Sequence, residues 1–361
     1  MFPANLMHRL RRLGRYVLGA LLLAGLDGCS ALSYYAHVAQ GEYEVLAKRQ
    51  PITELLADPA TDPKLRARLA QALQAREFAS DHLDLPRNGS YTLYADIGRR
   101  YVVWNVFATP ELSLKPVTHC FPIAGCVAYR GYYDEARAQA EAQRLSAQGD
   151  DTYVGGVTAY STLGWFDDPI LSSMLRWDND ELDGTIFHEL AHQKLYVKND
   201  TAFNESFANF VEQEGLRQWR AQRGQPPVDD TAAAHRSDQF TQLILDTRKR
   251  LEAVYASDMT EAQKRAAKQA AFEQLRSAYR SLRDTQWNGY AGYDKWMETG
   301  LNNAKLLPFG LYDQWVPAFA ALYARRPGDW PAFYAAAKQL ADEAKAMRQQ
   351  QLQALLAGAR S

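Results

Sequence analysis

Phe187-His188-Glu189-Leu190-Ala191-His192, followed by Asn204-Glu205-Ser206-Phe207-Ala208, is the stretch from which the rest of the chain can be read. Residues four apart share one face of a helix, so His188 and His192 can direct imidazole nitrogens at a single ion. Glu189 lies about 100° further round the helix, where its carboxylate can reach a water beside the ion without ligating it. Twelve residues separate His192 from Glu205. Among them Lys198-Asn199-Asp200 makes a polar break, so a second helix beginning near Asp200 can bring Glu205 back as a third ligand. Phe187, Leu190 and Ala191 make the first helix largely buried, and two histidines and a glutamate there need a metal or partners to offset their desolvation. Glu212 and Glu214 follow on the same helical stretch, where one of them could hold a ligand from behind; a solvated helix face is the simpler reading of both.

Three protein ligands around Zn2+ leave a fourth position open, which distinguishes a catalytic site from a closed structural one. The expected chemistry is hydrolysis by zinc-activated water, with Glu189 accepting its proton and then passing it to the leaving amine. A tyrosine or histidine from elsewhere would complete oxyanion stabilisation. Tyr290, Tyr293 and His235 are the candidates, with no ground for choosing among them.

The zinc segment resembles the gluzincin metallopeptidases, in which the glutamate of an Asn-Glu-x-x-Ala segment is the third zinc ligand. Its spacing is shorter than in the thermolysin-like and alanyl-aminopeptidase-like members. More specifically, the chain resembles a bacterial family of predicted zinc aminopeptidase lipoproteins. That resemblance runs through Cys120-Phe121-Pro122-Ile123-Ala124-Gly125-Cys126, Tyr129-Arg130-Gly131-Tyr132, Ala159 to Pro169, the zinc segment and Leu301-Asn302-Asn303-Ala304. It implies peptide substrates, a zinc cofactor, and cleft contacts from Asn302 and Asn303. The alternatives are an envelope endopeptidase and a zinc-binding envelope scaffold or chaperone without turnover; an intact Glu189 speaks against the second.

The amino terminus sets the expected location. Arg9, Arg11, Arg12 and Arg15 precede an apolar run from Tyr16 to Leu26, and Leu26-Asp27-Gly28-Cys29 reads as a lipoprotein cleavage site. Cleavage before Cys29 would leave a lipid-modified cysteine that anchors the protein to a membrane rather than spanning it. Asp27 is an unusual residue there, and a plain secretory signal or short uncleaved anchor is the alternative. Ser30 is compatible with onward sorting to the outer membrane of a Gram-negative bacterium, with the protein facing the periplasm. With Cys29 lipidated, Cys120 and Cys126 remain, close enough to close a disulfide in an oxidising compartment. Two reduced thiols are the other reading.

The 361 residues carry a formal net charge of -1, which gives no electrostatic signature of a nucleic-acid partner. The expected fold is α+β and mostly helical, a gluzincin-like zinc peptidase core with a small β-sheet and a helical lobe. Residues 1–28 read as the signal, 29–230 as a helical scaffold with sheet and zinc helices, and 231–361 as a helical lobe integrated with them. Tyr91-Thr92-Leu93-Tyr94 and Arg100 to Phe107 are rich in aromatic and β-branched residues and suggest a hairpin about Asp96-Ile97-Gly98 or a pair of sheet strands. Asp134 to Ala147 reads as a helix and Asp151 to Val154 as a strand. Thr231 to Ala256 and Thr260 to Arg283 read as a helical hairpin packed on the zinc helices, and Pro331 to Leu356 as a terminal helix. The segment through Tyr160, Ser161, Thr162 and Gly164 is a candidate substrate-binding strand, with Trp165 and Phe166 either walling a pocket or filling core. Asp167, Asp168, Asp178 and Asp180 lie near enough in sequence to hold a substrate ammonium, but also suit turns and helix caps.

Overall fold

The computed structural model describes residues 32–121, 125–227, 231–309 and 314–358. The signal region 1–28 and Cys29 lie outside them. Helix α1 (32–47), α2 (Ile52–Ala57) and α3 (Pro63–His82) form the amino-terminal scaffold. The third starts sharply because Asp62 accepts from the backbone N–H of Lys64 and Leu65, with Pro63 at the first helical position. Short strand β1 (Arg49–Pro51) breaks this helical stretch and pairs antiparallel with β2 (Leu93–Ala95).

The expected hairpin about Gly98 does not form. β2 instead lies between β1 and β8 (Ile170–Leu171), while β3 (Val103–Pro110) belongs to a different sheet, ordered β6-β3-β7. Asp96 accepts from the N–H of Gly98, whose φ of 64° redirects the chain. β3 then needs partners on both edges and finds them in β6 (Tyr129–Tyr132) and β7 (Asp150–Val157), both antiparallel. Trp104, Val106 and Ala108 turn one face of this sheet onto α4 (Glu135–Ser146), whose Ala138, Ala142 and Leu145 are buried there. The opposite face, carrying Val103, Asn105, Tyr129, Gly131 and Val157, borders a cleft. Between β3 and β6, β4 (His119–Phe121) and β5 (Gly125–Val127) make a small ribbon closed by a Cys120–Cys126 disulfide.

Helices α5 (Asn179–Lys194) and α6 (Thr201–Gln222) form the centre of the molecule. Asp178 caps the first by accepting from Glu181 N, and Asp200 caps the second by accepting from Phe203 N. Ile186, Phe187, Leu190, Phe203, Phe207 and Val211 are fully buried between and around them. Gly184 and Gly215 let these helices approach closely. A Cβ at Gly184 would come within 2.8 Å of Leu216, and one at Gly215 within 2.8 Å of Leu83 and 3.0 Å of Phe187.

The described residues from 231 onward divide between two cores. Helices α7 (Thr231–Ala256) and α8 (Glu261–Thr285) form the expected hairpin, the second opened by a Thr260/Gln263 capping box. The hairpin docks on the β3–β7 side of the sheet and not, as expected, on α5 and α6. Lys268 pairs with Asp151 at 2.6 Å, and Arg265 with Glu111 at 2.9 Å. After α9 (Asp294–Glu298) the chain returns to the main core, where α10 (Val316–Tyr323), α11 (Trp330–Asp342) and α12 (Lys345–Gly358) surround α6. The single terminal helix read from sequence is broken at Glu343, which is extended and caps α11.

Candidate active site

Two backbone devices place the three candidate ligands. His188 and His192 lie four positions apart on α5, and Asn204 clamps the turn that follows. Its Oδ1 accepts from Val197 N at 2.7 Å, and its Nδ2 donates to Val197 O at 2.8 Å. This fixes the angle at which α6 leaves the turn, and with it Glu205 one residue later. His188 Nε2 and His192 Nε2 lie 3.0 Å apart, and Glu205 Oε2 lies 3.4 Å and 3.7 Å from them. The three offer ligand atoms that all fall within 4.8 Å of one another, so the group can hold a metal ion. A tetrahedral ion with ligand bonds near 2.1 Å separates its ligand atoms by about 3.4 Å, which brackets these distances well. Two nitrogens and a carboxylate oxygen form a donor set suited to zinc and neighbouring divalent metals.

Glu212, expected on a solvated face, instead reaches the far side of His188. Its Oε2 lies 3.0 Å from His188 Nδ1, so a proton on that nitrogen leaves Nε2 free to ligate. Glu214 is not on a solvated face either: its side chain is only 14% exposed, held by Arg217 at 2.6 Å and by Gln218. Burial opposes charge on His188, but the hydrogen bonds to Glu205 and Glu212 outweigh it and raise its pKa well above the ordinary value. Burial likewise opposes charge on Glu205, yet both histidines hold its pKa down to about 2. Glu189 follows the reverse pattern: burial raises its pKa, the two histidines countering in part. A carboxylate held at raised basicity beside the ligand set is suited to taking and returning a proton.

These groups line a cleft of about 580 Å³ whose other walls come from α1, the β6-β3-β7 sheet, Tyr160 to Leu163, and Tyr196. Tyr160 and Ser161 therefore do face it. Thr162 turns away, its N–H and hydroxyl bound to the Asp168 carboxylate at 3.0 and 2.7 Å. Gly164, at φ 80°, is exposed opposite Gln193. Trp165 and Phe166 are 67% and 49% exposed, so they neither wall the pocket nor fill core.

Asn302 and Asn303 lie elsewhere, contrary to expectation. Asn302 donates to Thr152 O, and Asn303 donates to Glu111 O and Ser113 O while accepting from Tyr255. Their amides stitch the α7–α8 unit to the sheet. Tyr290 and Tyr293 are likewise outside the cleft lining. Tyr293 stacks on Phe240 with centroids 3.9 Å apart in the hairpin's own core, and Tyr290 lies under Arg236. His235 is exposed on α7.

The cleft has five tyrosines of its own, and sequence reasoning gave an oxyanion role to none of them. Tyr34 donates to Gly131 O, while Tyr133 and Tyr160 donate to Glu42. Among the described residues no acceptor holds the hydroxyl of Tyr129 or Tyr196. Tyr129 lines the same cleft as His188, Glu189, His192 and Glu205, and its pKa is pushed up to about 12 by burial and by the charges of Glu205, Tyr196 and Glu189. The available signal was strand alternation: Tyr129, Gly131 and Tyr133 point to one side of β6 and its extension.

The family model described as "Putative aminopeptidase" matches residues 33–352 of the chain. No curated protein and no solved structure matches it.

Proposed function

The chain belongs to this aminopeptidase family, and from that premise we propose that it is a zinc-dependent aminopeptidase that hydrolyses amino-terminal peptide bonds. The observation that carries the reading is the convergence of His188, His192 and Glu205 at the base of an open cleft, with Glu189 beside them. Zinc bound by these three residues would supply Lewis acidity and lower the pKa of water. Glu189 takes the proton of the attacking water and delivers it to the leaving amine. Tyr129, its own proton uncommitted, donates to the oxyanion as the carbonyl becomes tetrahedral. Glu212 holds His188 in the tautomer and ring orientation that ligation needs.

The same proposal includes the location. Cys29 would carry the lipid after removal of residues 1–28, anchoring the enzyme to the outer membrane with its cleft in the periplasm. The Cys120–Cys126 disulfide suits an oxidising compartment.

The test is metal content by mass spectrometry on purified mature protein, with hydrolysis of an amino-acid-amide panel and of amino-terminally blocked peptides. Wild type is expected to hold one zinc and to turn over free-amino substrates. Glu189→Gln is expected to hold the metal and lose turnover by about 10²–10⁴-fold. Turnover of blocked peptides alone would make it an endopeptidase, and a metal-free protein would remove the central assignment.

A further inference from the structure

Action on a free amino terminus requires a group that recognises an ammonium ion, and the four aspartates that the sequence offered for it are committed elsewhere. Asp168 is buried and accepts from Thr162 N, Thr162 Oγ1 and Ser161 Oγ. Asp178 caps α5, Asp180 pairs with Arg220, and the Asp167 side chain packs on Gly89 at the surface.

A different carboxylate stands behind the cleft wall. Glu42 lies on the face of α1 that carries Val38 and Tyr34, one and two turns earlier, both of which line the cleft. Its Oε2 accepts the hydroxyl protons of two cleft tyrosines, Tyr133 and Tyr160, each at 2.5 Å. Its Oε1 is buried and has no hydrogen-bond partner. A buried carboxylate oxygen without a donor is costly to retain unless a ligand supplies one.

The surroundings hold this arrangement firmly. Tyr133 donates its backbone N–H to His37 at 3.1 Å, and its ring crosses α1 at Gly41, where any Cβ would overlap it. The Tyr133 and Tyr160 rings pack edge to face, centroids 6.0 Å apart. Both phenols give their protons to Glu42, so their oxygens have only lone pairs left to offer. The pocket corner is therefore built of acceptors with one negative charge behind them, which selects a cationic group with several donors. Tyr133 and Tyr160 line the same cleft as His188, Glu189, His192 and Glu205, so this corner opens onto the hydrolytic centre.

We propose that Glu42, acting with the phenol oxygens of Tyr133 and Tyr160, anchors the α-ammonium group of the substrate. The assignment rests on the peptidase reading and names the residue that restricts the enzyme to free amino termini. Glu42 is a binding residue in this scheme, with no part in proton transfer at the scissile bond.

Binding and turnover test the two claims separately. Leucinamide and N-acetyl-leucinamide are titrated calorimetrically into Glu189→Gln protein, which keeps the cleft but not the catalytic base. The free amine is expected to bind about 10–100-fold more tightly, the scale of a hydrogen bond to a charged group. That preference should vanish in Glu42→Gln/Glu189→Gln, and in the parent it should decline as pH passes the amine's pKa near 8. Tyr160→Phe, which keeps the ring and the Tyr133–Glu42 bond, should reduce the preference in part, and it carries the test if the Glu42 variant does not fold. Equal binding of both amides by the parent, or a preference that survives loss of Glu42, overturns the anchor. Discrimination in binding with no hydrolysis of any peptide by wild type would keep the anchor and remove the peptidase reading. Hydrolysis of blocked and free peptides alike, unaffected by Glu42→Gln, would do the reverse.

Discussion

Arg348 on α12 and Asp200 at the start of α6 form a buried ion pair on which the position of Glu205 depends. Arg348 Nη2 and Nε lie 2.7 and 3.0 Å from Asp200 Oδ2, and the two side chains are 5% and 4% exposed. The remaining guanidinium nitrogen donates to Ala341 O and Glu343 O, holding the break between α11 and α12. Arg348→Met keeps the volume but leaves the Asp200 charge buried, with only the exposed Lys345 4.0 Å away. Removing one member of a buried pair costs about 3–5 kcal/mol. At about 2.1 cal/mol/K of unfolding entropy per residue, a chain of this size has roughly 0.7 kcal/mol/K, so Tm should fall by about 4–7 °C. Circular dichroism melts of the metal-free protein measure this directly. As a control, Lys338→Met removes a pair whose side chains are 66% and 65% exposed and should move Tm by about 1 °C or less. In the double variant Arg348→Met/Asp200→Asn the orphaned charge is gone and asparagine still caps α6, so much of the loss should be recovered. An Arg348→Met melt within 1 °C of wild type, or a double variant worse than the sum of its parts, would refute the argument.

Three further outcomes are expected. Glu212→Gln should weaken zinc binding about 10–100-fold in a chelator competition, because His188 loses its charged partner; unchanged affinity would return Glu212 to the solvated face. Tyr129→Phe should lower kcat by about 10²-fold with KM little changed, as expected for a donor used only in the transition state, and an effect confined to KM would argue against that role. Asp183 is fully buried, with Gln71 and Trp219 both donating to Oδ2, yet burial lifts its pKa to about 6 from an ordinary 3.8. Between those values the folded state binds more protons than the unfolded, so this group's contribution falls as pH rises from about 4 to 6, by roughly 3 kcal/mol. Urea midpoints at pH 4.5 and 7.5 should show Asp183→Asn gaining on wild type at the higher pH; a difference independent of pH would exclude the shift.

The legible parts of this chain share one property: their physics is local. The two histidines are one helical turn apart, the Asp200 cap precedes α6 by a single residue, and the limits of α4 and α8 follow from periodicity and caps within a few residues of each end. The misreadings fall where two segments far apart must meet. The residues Tyr91 to Phe107 do form strands, but which strand pairs with which depends on β1 and β8, to one side and the other of them in sequence. Glu212 is 24 residues from the histidine it holds, which put it by local reasoning on an outer face.

The tyrosines make the same point about function. In the hairpin region Tyr290 and Tyr293 stand close together beside glycines, a conspicuous local pattern, yet Tyr293 fills a core with Phe240, as the apolar face of a two-helix unit requires. Tyr129, Tyr133 and Tyr160 are scattered across two strand ends and a loop, and only the β6-β3-β7 register sets them over the zinc-motif helix. Glu42 lies still further off, 118 residues from the Tyr160 hydroxyl it accepts. A metal site can be written into one helix and the start of the next, because its ligands need only share a face. Selecting a substrate end requires groups on the opposite wall of the cleft, and that wall exists only after the sheet and α1 have closed over it.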